Sequence, residues 1–220
     1  MKFYDSFAEP LIYLITKGET TAANFSEKKK GTLDTIKIAA ENNVSLIQIR
    51  EKSLSAKLLF ELTVEAARIT KKSKSALLVN DRADIALAAG ADGVHLTAAS
   101  LSADIIRRVF PDDFIVGVSA HSLENVLEAK RQKADFAVYG PIFTTPNKGE
   151  PLGLKRLREV CEKVKPFPVL TLGGINETNY ESVLEIAAGF AAIRFLNDAE
   201  NIRKLMKEFS CKDAKIAKKS

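Results

Sequence analysis

Tryptophan is absent from this sequence, and cysteine, histidine and methionine occur only twice each. Cys161 and Cys211 are too few for a disulfide framework, and neither belongs to a CxxC pair. The cysteines and histidines are scattered without metal-ligand spacing, which argues against a zinc centre. No apolar run approaches the roughly 18 residues of a transmembrane helix, and the first residues lack the apolar segment of a signal peptide. We therefore expect a cytoplasmic protein without a membrane partner.

The chain has no strong excess of positive or negative charge outside its C-terminal segment. The net charge is +5, and the segment 210–220 supplies +3 of it, as four lysines minus one aspartate. A nucleic-acid-binding protein more often combines a basic face with aromatic platforms, whereas this chain has no tryptophan and only four tyrosines. We expect no nucleic-acid partner and predict that 210–220 is a disordered basic tail. The sequence is compatible with a homo-oligomer but does not predict one.

Eight short apolar runs recur along the chain. Each run is continuous rather than alternating, which is typical of strands that are buried on both faces of a parallel sheet. The runs are Leu11–Thr16, Val44–Ile49, Ser75–Val79, Gly93–Leu96, Phe114–Val118, Phe136–Tyr139, Pro168–Leu172 and Phe190–Ile193.

Helical patterns separate these runs, and Ser122 has the position of a helix N-cap. The clearest helical segments are Ser55–Lys71, Ser122–Lys133, Asn176–Ile186 and Ala199–Phe209. The segment Lys17–Lys30 and the tail show no such pattern and are predicted to be loosely structured. Eight alternating units predict an α/β fold, a single-domain (β/α)₈ TIM barrel over residues 1–209.

Polar residues follow the predicted strands at the end where barrels of this kind carry their active sites. After the second run, alternation along the strand places Gln48, Arg50 and Lys52 on one side. Two cations at the mouth of a barrel favour a bound anion such as a phosphate. The alternative is that they form structural ion pairs with nearby carboxylates.

Asn80 and Asp81 follow the third run, where a carboxylate among cations either pairs with them or holds Mg²⁺ beside a diphosphate. The alternative is that one of them only caps the helix Arg82–Ala89. His95 lies within an apolar run and is interpreted as a packed core residue. Ser119 ends the fifth strand, and His121 follows it as a candidate proton donor or phosphate contact.

The long loop that follows the sixth strand contains Thr145 and Lys148, which suit a lid over the anion at the second and third strands. A second anion site, lined by backbone, is predicted after the seventh and eighth strands. Gly173 and Gly174 precede a helix, so their N–H groups can approach a phosphate, and Arg194 follows the eighth strand. Two phosphate sites at one mouth indicate an enzyme that joins two phosphorylated substrates, one of which loses its phosphate group.

Five linked motifs, in order, resemble the thiamine-phosphate synthase family over residues 11–196. They are Leu46–Lys52 (LIQIREK), Leu77–Leu96 (LLVNDRADIALAAGADGVHL), Gly117–Asn125 (GVSAHSLEN), Ala134–Gly149 (ADFAVYGPIFTTPNKG) and Pro168–Asn176 (PVLTLGGIN). The resemblance implies a Mg²⁺-dependent transferase that couples hydroxymethylpyrimidine diphosphate to thiazole phosphate and releases pyrophosphate. In that family the reaction is thought to pass through a pyrimidine carbocation, which calls for stabilisation of the leaving group.

The resemblance also implies roles for individual residues. Asp81 would be the metal ligand, and Gly174 would bind the thiazole phosphate through its N–H group. Catalytic roles would fall on Arg50, Lys52, Ser119 and Lys148. The substrate-binding set would be Gln48, Arg50, Lys52, Asn80, Ser119, His121, Thr145, Lys148, Gly174 and Arg194.

Two departures from the family pattern keep alternatives open. A second acidic metal ligand is expected after the fourth strand, where this chain has Ser100, and a small serine is expected where it has Arg194. The missing acid favours a related thiazole tautomerase, which needs no metal and uses a histidine at the position of His121. A non-catalytic ligand-binding relative is the third interpretation. The intact cationic motif favours the synthase.

Overall fold

Eight parallel strands close into a barrel in the computed structural model, which describes residues 10–217. The strands are β1 (Leu11–Ile15), β2 (Leu46–Ile49), β3 (Ala76–Asn80), β4 (Gly93–Leu96), β5 (Ile115–Ala120), β6 (Phe136–Tyr139), β7 (Val169–Thr171) and β8 (Gly189–Ala192). The helices are α1 (Phe25–Glu41), α2 (Ala56–Thr70), α3 (Ala83–Ala89), α4 (Ala103–Val109), α5 (Leu123–Arg131), α6 (Gly153–Val164), α7 (Tyr180–Leu184) and α8 (Ala199–Ala217). The predicted (β/α)₈ barrel is confirmed.

Each strand pairs with the next in sequence, and β8 closes the ring by pairing with β1, with Leu11 opposite Gly189 and Leu14 opposite Ala192. All eight predicted strands are present, and their ends differ from the predicted ones by at most two residues. Ser122 caps α5 as expected, since its side chain accepts a hydrogen bond from the Asn125 N–H at 3.2 Å.

The segment Lys17–Lys30 is not loose throughout, because α1 already begins at Phe25. Phe25 is buried, and Lys29 lies 2.7 Å from Glu61 and 2.6 Å from Glu65 of α2. The charged run that looked like a solvated loop is therefore anchored by ion pairs to the neighbouring helix. Sequence alone does not reveal those partners, since they lie more than 30 residues away.

Alternation along the strands divides the barrel into two apolar regions. One side of each strand packs against the helices, and the other side fills the barrel interior. The interior cluster contains Leu11, Tyr13, Ile15, Leu46, Ala76, Leu78, Phe136, Val138, Leu170 and Ala191. Following the same inward side toward the C-terminal ends leads to Gln48 on β2, Asn80 on β3, His95 on β4 and Ser119 on β5. The top of the interior is thus polar, whereas the layers below it are apolar.

Gly117 makes room for this interior packing. A Cβ atom at this position would lie 2.4 Å from the Phe136 ring and 3.0 Å from His95 Nδ1. The Phe136 ring fills the space instead, edge-on to Tyr13 with 5.6 Å between the ring centroids. The apolar floor under the polar layer therefore depends on a residue without a side chain.

The last helix is anchored by Ile202, Leu205 and Phe209, which are buried. The sequence predicts a disordered tail from 210, whereas the structure continues α8 to Ala217. Phe209 is buried, whereas Ser210 and Cys211, which follow it on the helix, are exposed. Residues 218–220 lie outside the described part of the chain.

Within the described residues, no helix combines the length and the apolar character needed to cross a bilayer.

Ending the chain after Cys211 should leave the free energy of unfolding nearly unchanged, within about 0.5 kcal/mol, because Ser210 and Cys211 are exposed and the sequence predicts a basic tail beyond them. The contrasting variant is Phe209→Ala, which removes a ring packed edge-on to Tyr180 at 6.3 Å. We expect this substitution to lower the free energy of unfolding by about 3–5 kcal/mol. Urea unfolding measures both free energies. A truncation that costs as much as Phe209→Ala would show that the segment after Cys211 packs on the barrel.

Candidate functional site

Asp81 lies at a sharp turn directly after β3. Its φ of 61° is in the left-handed region, which aspartate tolerates better than most residues. One carboxylate oxygen accepts hydrogen bonds from the hydroxyls of Thr97, at 2.9 Å, and Ser100. Helix α3 starts with Arg82 as N-cap and no side-chain cap bond, so the alternative in which Asp81 or Asn80 caps this helix is wrong.

The charge of Asp81 is maintained by its surroundings. Partial burial by itself would raise the pKa of this carboxyl, but hydrogen bonds from Ser100 and Thr97 and the charge of Lys52 together lower the pKa below its usual value. Asp81 is therefore a carboxylate at neutral pH. Lys52 lies near enough for its positive charge to stabilise this carboxylate.

Gln48 and Asn80 extend this group across the neighbouring strands. The Gln48 side-chain amide donates to Asn80 Oδ1 at 3.1 Å, and the Asn80 amide donates to Asp81 Oδ2 at 2.5 Å. Gln48 is buried, and its Oε1 atom has no hydrogen-bond partner among the described residues. A buried acceptor without a partner is costly, so a ligand N–H at this point would be stabilising.

Arg50 and Lys52 make no ion pair with any carboxylate of the described residues. The alternative interpretation, in which these cations serve structural ion pairs, is therefore not supported. Their charges remain available to an anion at the mouth of the barrel.

Glu51, between these two cations, faces the other way and was not recognised from the sequence as part of the site. It is buried, and its two oxygens accept hydrogen bonds from the Gly18 N–H at 3.1 Å and the Thr20 N–H at 2.8 Å. The loop after β1 is also tied to β2 by the Arg50 N–H, which donates to Thr16 Oγ1 at 2.9 Å. Glu51 thus fastens this loop beside Arg50.

His95 connects the two halves of the barrel mouth. Its Nε2 atom lies 2.9 Å from Ser119 Oγ, and its ring packs against those of Tyr13 and Phe136, with centroid distances of 5.7 and 6.3 Å. Burial lowers its pKa to about 4, with Asp81 opposing and Arg50 adding to the shift. His95 is neutral at pH 7 and is a core residue as predicted, although it also positions the Ser119 hydroxyl.

A cavity of about 170 Å³ opens between the ends of β5 and β8. Its wall consists mostly of small and apolar residues. Thr145 and Lys148, which were expected over the anion at β2 and β3, line this cavity instead, together with Gly174 and Arg194 of the predicted second site. The predicted residues that line it are Ser119, His121, Thr145, Lys148, Gly174 and Arg194.

Backbone contacts between two loops shape one wall of this cavity. The Phe143 N–H donates to the Gly173 carbonyl at 3.1 Å, and the Ile142 N–H donates to the Leu172 carbonyl at 2.9 Å. Gly174 has a φ of 67°, and a Cβ there would lie 2.6 Å from Phe143 Cβ and 2.7 Å from the Thr144 carbonyl oxygen. Only glycine fits this close approach, which places its backbone at the cavity wall.

His121 is exposed and borders the same cavity. Its Nδ1 atom lies 2.6 Å from the Gly140 carbonyl oxygen. Because a carbonyl can only accept, Nδ1 carries the proton in this contact, and Nε2 is left without a partner among the described residues. A neutral His121 therefore offers Nε2 as a proton acceptor.

Comparison with known proteins identifies relatives for this chain. Residues 12–196 match the family model described as thiamine monophosphate synthase. The chain belongs to the thiamine monophosphate synthase family. The match covers the eight strands of the barrel except Leu11, the first residue of β1.

The alignments with individual relatives cover most of each relative's length. A protein of Aquifex aeolicus, provisionally named thiamine-phosphate synthase 2, is 44% identical over 168 residues, which is 76% of this chain and 86% of the relative. The thiamine-phosphate synthase of Caldanaerobacter subterraneus is 36% identical over 182 residues, 80% of this chain and 85% of the relative. The thiamine phosphate pyrophosphorylase from Pyrococcus furiosus superposes with a TM-score of 0.76 at 29% identity, covering 90% of this chain and 96% of that one.

The residues expected from the family motifs fall into two groups. Gln48, Asn80 and Asp81 form one hydrogen-bonded chain at β2 and β3, with Arg50 and Lys52 beside it. The cavity-lining group lies at β5 to β8. The two groups do not share one cavity in the structure, and the contact between His95 and Ser119 is the link between them. Thr97 was missed from the sequence, which carries no signal that its hydroxyl meets Asp81.

Replacing Glu51 by glutamine should destabilise the protein by about 1–3 kcal/mol, because an amide N–H₂ would then face one of two backbone N–H donors. The matched control is Glu41→Gln, whose side chain is 61% exposed near Lys37. For the control we expect a loss of less than about 0.5 kcal/mol in the free energy of unfolding. Denaturant unfolding measures this free energy for both variants and the parent. Equal stability of the two variants would contradict the role of Glu51 in fastening the loop after β1.

Proposed function

We propose that this chain is a thiamine-phosphate synthase, which couples hydroxymethylpyrimidine diphosphate with thiazole phosphate to give thiamine phosphate and pyrophosphate. Family membership and the names of the relatives support this activity. The observation that carries it is the pair of Arg50 and Lys52, which make no ion pair with any described residue and lie near an ionised Asp81 at one side of the mouth. A diphosphate matches this charge pattern.

The pyrimidine diphosphate binds across β2 and β3. The free Oε1 atom of Gln48 accepts an N–H group of the pyrimidine, and Asn80 orients the Gln48 side chain. Arg50 and Lys52 bind the diphosphate, the first as a planar fork and the second as a compact charge. Ser119, held by His95, contacts the pyrimidine or the first phosphate.

Thiazole phosphate occupies the cavity at β5 to β8. The Gly174 N–H donates to its phosphate, and Arg194 supplies a cation there. In the reaction, the bond between the pyrimidine methylene carbon and the diphosphate oxygen breaks, and the pyrophosphate leaves with the electron pair. The thiazole nitrogen then forms a bond to that carbon. Arg50, Lys52, Thr145 and Lys148 stabilise the negative charge that develops on the leaving group.

Asp81 is the candidate ligand for Mg²⁺. The described residues contain no group of three or more histidine, cysteine, aspartate or glutamate side chains that could hold a metal ion. The oxygen atoms of Asp81, Thr97 and Ser100 nevertheless match the preference of Mg²⁺, which is commonly held by one or two carboxylates, water and substrate phosphates. When bound there, Mg²⁺ would neutralise charge on the diphosphate. This fit implies weak metal binding without substrate.

A thiazole tautomerase is the second candidate, and the free Nε2 atom of His121 at the cavity favours it. A tautomerase, however, has no diphosphate to bind and gains nothing from Arg50, Lys52 and Asp81 together. A non-catalytic ligand-binding relative would share the cavity without turnover.

Incubation of the folded protein with both substrates and Mg²⁺ should yield thiamine phosphate and an equal amount of pyrophosphate. Chromatography detects the first product, and a coupled phosphate assay detects the second. Isomerisation of the thiazole without coupling would favour the tautomerase. Binding of either substrate with no product would favour the non-catalytic relative.

The metal assignment predicts that Asp81→Asn lowers the coupling rate at least ~100-fold, about 2.7 kcal/mol of transition-state stabilisation. Asp84→Asn is the matched control, since Asp84 is exposed and pairs with Arg82. Ser100→Asp should lower the Mg²⁺ concentration needed for half-maximal rate, because its side chain would lie beside Asp81.

A Mg²⁺ titration of the rate compares these variants with the parent. Parental activity of Asp81→Asn at every Mg²⁺ concentration would refute the role of Asp81 as metal ligand. An unchanged titration for Ser100→Asp would show that the segment after β4 does not reach the metal.

A further inference from the structure

The cavity between β5 and β8 holds two cations and no acid. Lys148 and Arg194 line it, and no carboxylate does so among the described residues. Neither side chain makes an ion pair within the described part of the chain. The cavity therefore has a positive charge that no described carboxylate compensates, and this charge favours an anionic ligand.

Arg194 is placed at this cavity by the end of the last strand. It comes two residues after β8 and starts the 3₁₀ turn Phe195–Asn197, with φ of −62° and ψ of −47°. The Asn197 side chain holds this turn through 2.7 Å hydrogen bonds to the carbonyls of Ile15 and Ile193. The backbone that carries Arg194 is thus fixed to two strands, while its guanidinium group is exposed at the cavity.

The Gly173–Gly174 turn forms another wall of the same cavity. Backbone N–H groups bind any oxyanion and cannot distinguish a monoanion from a dianion by charge. A guanidinium group adds a full positive charge and two parallel N–H donors that match two phosphate oxygens. A phosphate monoester carries a charge of about −1.5 to −2 near pH 7, whereas an alcohol carries none.

We propose that Arg194 is a specificity-determining residue, which restricts the acceptor of the coupling reaction to the phosphate monoester and rejects the unphosphorylated alcohol. This inference rests on the proposed function for its choice of acceptor. The phosphate lies away from the bond that forms, so its contact with Arg194 is equally strong in the ground state and the transition state. Arg194 therefore acts on acceptor binding rather than on the chemical step.

Steady-state kinetics of Arg194→Ser, with saturating pyrimidine diphosphate and Mg²⁺, test this role. We expect KM for thiazole phosphate to rise about 10- to 100-fold with kcat changed less than about threefold, the signature of lost uniform binding. KM for pyrimidine diphosphate and kcat/KM for the unphosphorylated thiazole alcohol should stay at the parental values. The preference for the phosphorylated acceptor should therefore fall by the same 10- to 100-fold. For Arg194→Lys we expect a KM for thiazole phosphate between those of the parent and Arg194→Ser. A lysine keeps the positive charge but lacks the two parallel N–H donors of a guanidinium group.

Arg203→Ser is the matched control, since Arg203 is exposed on α8 and does not line the cavity. It removes the same net charge and should leave all constants unchanged. A parental KM and a parental acceptor preference in Arg194→Ser would overturn the inference. A fall in kcat with KM unchanged would also overturn it, because Arg194 would then act on the chemical step.

Equilibrium binding separates this inference from the proposed function. Calorimetry measures the binding of thiazole phosphate and of the alcohol to folded parent, Arg194→Ser and Arg203→Ser, without the pyrimidine substrate. Selective binding of the phosphate that is lost only in Arg194→Ser supports the inference even if no protein couples the substrates. Coupling by the parent with equal binding preferences in all three proteins refutes the inference and leaves the proposed function intact.

Discussion

Closure of the barrel is the constraint on which the rest of the molecule depends. The hydrogen-bonded pairing of β8 with β1 fixes which side of every strand faces inward, because a shift by one residue would exchange the two sides of a strand. With that register, the inward positions are apolar through the lower layers and become polar only at the C-terminal ends of β2 to β5. The site is therefore the top layer of the same packing that stabilises the fold.

The residues of the polar layer form hydrogen bonds with one another that stabilise the layer. Several of their polar atoms remain without a hydrogen-bond or ion-pair partner among the described residues. Asp81 is held by Thr97, Ser100 and Asn80, and Glu51 fastens the loop after β1 from the opposite side of β2. The free groups are the Gln48 Oε1 atom, the cations of Arg50 and Lys52, and the cavity-lining Lys148 and Arg194. These atoms have no partners among the described residues, so they are available to a ligand.

The fold alone does not define the activity, since barrels of this class carry many chemistries on their loops. The motifs at the strand ends, and the family match over residues 12–196, distinguish this chain from other barrels.

The sequence by itself determined the barrel, because eight continuous apolar runs separated by helical patterns are a local signal that survives without knowledge of contacts. It also predicted most residues of the candidate site, because side chains that follow parallel strands converge at one end of the barrel. The tertiary structure decided which of these residues are neighbours. Only folding shows that Asp81 meets Thr97 and Ser100 rather than capping α3, that Glu51 binds the loop after β1, and that Arg194 shares a cavity with Gly174. These contacts join residues far apart in the chain, and their geometry depends on the register and closure of the whole barrel.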